Sequence, residues 1–160
     1  MKITFVTTGG TIDKVYFDKK SQFEVGEPQI LEVLRDANIA FEHEIISVLR
    51  KDSLEMTAAD RLAVRDAIAA DSGHRFVVTH GTDTMIQTAQ ALAGIPGKVI
   101  VLVGSMQPAR FKTSDAVFNI GFAAAAVQTL PPGVYITMNG RVFNPSRSRK
   151  NVEMNRFEEL

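Results

Sequence analysis

Two short segments hold most of the residues that could do chemistry. The first is Thr7-Thr8-Gly9-Gly10-Thr11-Ile12. Paired glycines let the backbone approach a ligand closely and expose amide N–H groups. The second is Thr79-His80-Gly81-Thr82-Asp83-Thr84-Met85, where a hydroxyl, a carboxylate and a glycine meet at the start of a helix. Each has a plain structural reading as well: a Gly-Gly turn between β-formers for the first, and capping of the helix by Thr82 or Asp83 for the second. A cap accounts for one residue and leaves the other polar residues at the end of a buried strand without a purpose.

Other chemistries are excluded by what the chain lacks. It has no cysteine, which removes thiol nucleophiles, disulfides and Cys-ligated metals. No G-x-G-x-x-G follows Gly10, and Gly94 to Lys98 is too short for a phosphate loop. His43 and His74 are isolated, no histidine pair has metal-ligand spacing, and His80 reads as a hydrogen-bonding core histidine. No metal and no cofactor is expected. Eighteen basic residues balance eighteen acidic ones, without the basic excess of a nucleic-acid binder. No apolar run approaches the ~20 residues that span a bilayer, and Ile3–Val6 is too short for a signal-peptide core. The expectation is a cytoplasmic protein with no membrane contact. A length of 160 residues, 45% hydrophobic and 22% charged, predicts one ordinary globular domain.

The elements that must position the two segments alternate. Lys2–Thr7, His43–Leu49, Arg75–Thr79, Lys98–Val103 and Val134–Met138 read as strands. Gln29–Ala37, Ala58–Ala70, Asp83–Ala93 and Asp115–Thr129 read as helices, with Thr57 and Asp60 spaced as a capping box. Residues 139–160 are polar, with turns at Asn139-Gly140 and Asn144-Pro145. This order predicts a three-layer α/β domain with a mostly parallel sheet, in which ligands bind beyond the carboxyl ends of the strands. Both polar segments lie there.

Taken together the two segments resemble the signature of the bacterial-type L-asparaginase family. Thr8-Gly9-Gly10-Thr11-Ile12 is similar to its first threonine motif and His80-Gly81-Thr82-Asp83-Thr84-Met85 to its second. Ser53-Leu54-Glu55-Met56 resembles the family's serine loop, and Gly104-Ser105-Met106-Gln107-Pro108 its segment after the fourth strand. Met138-Asn139 followed by Lys150 resembles the stretch that carries its lysine. The resemblance runs from Met1 to about Lys150, within the family's N-terminal domain, and implies that domain's flavodoxin/Rossmann-like fold.

It also implies roles. Thr11 is the nucleophile on the side-chain amide carbon of L-asparagine, and Tyr16 activates or orients it. Ser53 holds the substrate α-carboxylate and Asp83 the α-amino group. Thr82, Asp83 and Lys150 form a second cluster for proton transfer and water activation. Gly10 and Gly81 line the substrate, with backbone N–H groups around Gly10-Thr11 and Gly81-Thr82 as oxyanion donors. The chemistry needs such neighbours, because a threonine hydroxyl is a poor nucleophile until its proton is accepted or its alkoxide stabilised. By composition alone Lys150, in a basic tail, would be a solvated charge, Ser53 a turn cap and Tyr16 a loop-edge ring.

The chain departs from larger members in two places. It stops at Leu160, where their second, C-terminal domain would begin. The expectation is therefore one domain over residues 1–160, without that domain, self-associating as a homo-oligomer (dimer or tetramer). Within Ser21–Gly26, Phe23 stands where larger members carry a tyrosine, which leaves Tyr16 as the tyrosine of the first loop. The expected activity is hydrolysis of L-asparagine to aspartate and ammonia. The alternatives are hydrolysis of glutamine or another small amide, or a non-catalytic amino-acid-binding module.

Overall fold

The computed structural model describes residues 1–17 and 22–160. Ser21, the first residue of the segment compared above, lies outside the described residues.

In chain order the elements are β1 (Lys2–Gly9), β2 (Lys14–Phe17), β3 (Gln22–Val25), α1 (Ile30–Asp36), β4 (Glu42–Lys51), α2 (Ala58–Ala70), β5 (Arg75–Thr79), α3 (Met85–Ala91), β6 (Val99–Val103), α4 (Ala116–Thr129), β7 (Gly133–Met138), β8 (Arg141–Phe143), β9 (Ser148–Asn151) and β10 (Arg156–Glu159). Six strands form one sheet in the order β4-β1-β5-β6-β7-β8. The first five are parallel and β8 returns antiparallel to β7. The chain leaves β1 to one side to make β4, then crosses to the other side to make β5. The switch point of this flavodoxin-like order therefore lies between β1 and β5, the place beyond which sheets of this kind bind their ligands.

Alternation along the strands divides the core into two layers. Ile3, Phe5, Val77, Val101 and Val103 pack against Ile30 and Leu34 of α1 and Ala116, Ile120 and Val127 of α4. Val6, Phe76, Val78, Ile100 and Leu102 face the other way, onto Val64 and Ile68 of α2 and Met85 and Ala89 of α3. All five residues of β6 are buried, as in a strand covered on both faces. The Thr57–Asp60 capping box forms at the start of α2.

Three features differ from the sequence expectation. Helix α3 begins at Met85 rather than Asp83, because Thr82 and Asp83 are held elsewhere. They do not cap the helix. Its N-cap is Thr84, whose hydroxyl donates to Ser53 O at 2.7 Å instead. Second, the polar 139–160 stretch is structured. Asn139 and Gly140, at φ 54° and 73°, make a two-residue reversal into β8, the left-handed pair that suits a tight hairpin. β9 and β10 then pair with each other, anchored by Phe143 and Phe157, both buried with ring centroids 6.1 Å apart. Third, β2 and β3 form a small hairpin after the first motif, pairing Tyr16 with Phe23.

Candidate active site

Neighbouring strands bring the two motifs together. Thr7 pairs with Thr79 at the end of the β1–β5 ladder, and just beyond it Thr8 Oγ1 donates to Thr79 O at 2.8 Å. The loops then touch backbone to backbone. A Cβ on Gly10 would lie 2.5 Å from Gly81 Cα and closer still to its nitrogen, and Gly10 sits at φ 94°, which an L side chain resists. On the far side of Gly81, a Cβ would lie 2.5 Å from Ser53 Oγ. Gly10, Gly81 and Ser53 thus stack in direct contact, and the loops after β1, β5 and β4 form one surface.

Each candidate side chain has a definite place in it. Thr11 opens a 3-10 turn, Thr11–Asp13, and is half-buried. Among the described residues nothing engages its hydroxyl. Ser53 is buried, and among the described residues its Oγ has no hydrogen-bond partner. It does not cap its turn; Asp52 does, accepting from Leu54 N at 3.1 Å while its other oxygen pairs with Lys14 at 2.7 Å.

Lys150 reaches the same place from β9. Its Nζ donates to Thr82 Oγ1 at 2.8 Å and to Asp83 Oδ1 at 2.6 Å. The lysine side chain is 15% exposed, and that of Asp83 42%. This is not a solvated charge. Lys150 pairs across the β9–β10 hairpin with Phe157, whose burial fixes the hairpin against the core.

Tyr16 is less closely held. It is exposed on the β2–β3 hairpin, its ring 5.3 Å from Phe23, which in turn lies 6.0 Å from Phe111. Among the described residues no hydrogen bond joins it to Thr11. His80 is the core histidine expected. Its Nδ1 lies 2.7 Å from Gly81 O, which can only accept, so Nδ1 carries the proton and Nε2 accepts from Thr88 Oγ1 at 2.8 Å. Burial pushes its pKa down to about 4, so the ring is neutral. Among the described residues no group of three or more His, Asp or Glu is gathered as metal ligands would be, and no helix is long and apolar enough to cross a membrane.

Some contributors were not visible in the sequence. Asp115 accepts from Met106 N, Gln107 N and Asn119 Nδ2, and Asn119 also donates to Gly104 O, which fixes the loop after β6. That loop backs the site: a Cβ on Gly104 would lie 3.1 Å from Thr82 Cγ2. Asp13, two residues past Thr11, is buried, and among the described residues its Oδ2 has no hydrogen-bond partner. Burial pushes its carboxyl up to about 6, against the pull of Gln29 N and Arg50. An acid just after a candidate nucleophile was the available signal for it.

The profile of the family described as "Asparaginase, N-terminal" matches residues 2–158. The chain belongs to the asparaginase family. An L-asparaginase of Thermococcus kodakarensis is 29% identical over 171 aligned residues, covering all of this chain and 51% of the relative. The solved structure of the thermostable L-asparaginase from that organism superposes with a TM-score of 0.86 at 27% identity, over 100% of this chain and 51% of the other. A glutaminase-asparaginase of Acinetobacter glutaminasificans is 30% identical, covering 88% of this chain and 47% of the relative. The chain thus spans about half the length of the asparaginases it matches. It shares with the solved asparaginase structure the mostly parallel sheet flanked by helices.

Proposed function

We propose that the protein is an amidohydrolase that converts L-asparagine to L-aspartate and ammonia, with Thr11 as nucleophile. The observation that carries this reading is the cluster in which Lys150 bridges Thr82 and Asp83 across 68 and 67 chain positions. A module that only bound an amino acid would have little use for a shielded amine against a threonine hydroxyl.

In this reading Thr11 Oγ attacks the amide carbon and gives up its proton to the site. The C–N bond breaks and the nitrogen leaves as ammonia, taking a proton with it. The acyl group on Thr11 is then released by water, which returns a proton to the threonine oxygen and leaves the carboxylate. The Thr82–Lys150 pair moves protons in both halves, while Gly10-Thr11 and Gly81-Thr82 amides stabilise the oxyanion. The orphan hydroxyl of Ser53 takes the α-carboxylate. Asp83, with one oxygen on Lys150 and the side chain 42% exposed, takes the α-ammonium.

Glutamine is a second reading, favoured by similarity to a relative whose own name carries both activities. Ammonia release from asparagine and glutamine, by wild type and by Thr11→Val, tests these readings. Faster release from asparagine and at least 100-fold loss in folded Thr11→Val are expected. Near-wild-type release by that variant would remove the nucleophile, and no release from either amide by wild type would favour a binding module.

A further inference from the structure

The chemistry proposed above leaves Asp13 without a role, yet it is tied to everything around the nucleophile. It closes the same 3-10 turn that Thr11 opens, and its side chain is buried. Its N–H donates to Gly10 O at 3.1 Å, and its carbonyl accepts from Gly26 N at 2.7 Å, which shuts the base of the hairpin that carries Tyr16. Its Oδ1 accepts from Gln29 N at 2.8 Å, at the entry to α1. Gln29 is itself buried, and its Oε1 accepts from Arg110 Nε at 2.9 Å. One residue earlier, Ile12 O accepts from Ala109 N at 3.0 Å. The turn is thereby joined to α1 and to the loop after β6.

The remaining oxygen, Oδ2, is buried and has no hydrogen-bond partner among the described residues. Among the described residues, Arg50 of β4 is paired with Glu27, Arg110 with Gln29, and Lys14 with Asp52. Burying a carboxyl with half its capacity unmet is unfavourable. A small or apolar residue would pack there without that cost, so the bond made by Oδ1 is what the acid supplies.

We propose that Asp13 is the positioning residue of the nucleophile turn: by accepting from Gln29 N it fixes Thr11 and the base of the Tyr16 hairpin to the entry of α1. This rests on the reading of Thr11 as nucleophile. The Asp13 side chain is buried and is assigned no contact with substrate. It acts through the attack geometry of the threonine, where a displacement of about 1 Å can cost on the order of 100-fold in rate.

The test compares Asp13→Ala, which removes the acceptor, with Asp13→Asn, which keeps it. For asparagine, Asp13→Ala is expected to lower kcat at least tenfold with KM within about threefold of wild type, and Asp13→Asn to restore kcat to within about threefold. Loss of general stability would not give that split or that rescue. Amide hydrogen exchange of the full chain is read alongside: residues 10–14 should exchange at least tenfold faster in Asp13→Ala, with β5 and β6 unchanged and Asp13→Asn like wild type. A folded Asp13→Ala with wild-type kcat and wild-type exchange overturns the proposal. So does an Asp13→Asn as impaired as Asp13→Ala. An inactive wild type with the expected exchange pattern would sink the amidase reading and still support Asp13 as the anchor of the turn.

Discussion

Gly10 and Gly81 leave no room for a side chain between them. Each stands one residue before a threonine of the site, so the backbone contact of the two glycines sets the spacing of Thr11 and Thr82. Alanine at position 10 would meet Gly81 backbone at a positive φ, and alanine at position 81 would drive into Ser53. Gly10→Ala should destabilise the fold by about 2–4 kcal/mol, the sum of backbone strain at its positive φ and overpacking, and Gly81→Ala by about 1–3 kcal/mol, from overpacking alone. Ammonia release should drop more than 100-fold. Thermal denaturation and turnover of the two variants check this, and a Gly10→Ala with unchanged turnover would contradict it.

Lys150→Met should lower turnover at least 100-fold while the chain stays folded, since a placed general acid or base contributes about 10²–10⁴ in rate. Lys150→Arg separates two explanations. A guanidinium keeps the charge beside Asp83 and cannot pass a proton. Less than tenfold recovery relative to Lys150→Met is expected; full recovery would mean that Lys150 acts as a fixed charge.

Tyr16→Phe should lower kcat at least tenfold and leave the melting temperature unchanged. The hydroxyl makes no hydrogen bond among the described residues, and the contact with Phe23 needs only the ring. Unchanged kcat would return Tyr16 to the role of a packing ring.

The order of strands and helices was legible because long apolar runs bounded by glycine and proline identify buried parallel strands. β6 and α2 came out within a residue of their predicted limits. The two threonine motifs were legible because unusual residue types cluster at strand ends. What escaped was built from short polar pieces. β8, β9 and β10 are three or four residues each, and they are ordered by Phe143 and Phe157, whose partners are distant in the chain. The contact of Lys150 with Thr82 followed from resemblance and not from periodicity, since no local pattern encodes a bond across 68 positions. Asp13 escaped because burial, the property that distinguishes it, belongs to the fold.

Stability against pH should expose two buried groups acting in opposition. His80, depressed to about 4 from an ordinary 6.5, favours folding above pH 6.5, and that contribution is lost as pH falls toward 4. Asp13, raised to about 6 from 3.8, favours folding below pH 3.8, and that contribution is lost as pH rises through 6. Between pH 4 and 6 the two slopes cancel, each about 1.4 kcal/mol per pH unit. Asp13→Asn removes one of them. Urea denaturation should find wild-type stability nearly flat in that window, and the variant gaining on the order of 3 kcal/mol across it. Parallel curves for the two proteins would show that Asp13 does not titrate there.

The placement of Lys150 on a hairpin beyond the main sheet also orders events in time. Contacts distant in sequence must wait for the chain between them to be organised, and parallel sheets are slow to form for that reason. Thr11, Ser53 and Thr82 arrive with β1, β4 and β5, but the amine arrives only when β9 and β10 settle and Phe157 enters the core. A chain caught before that step is compact and has Thr11 in place, yet it lacks the amine that the proposed chemistry needs. During refolding, recovery of activity should therefore trail recovery of the sheet.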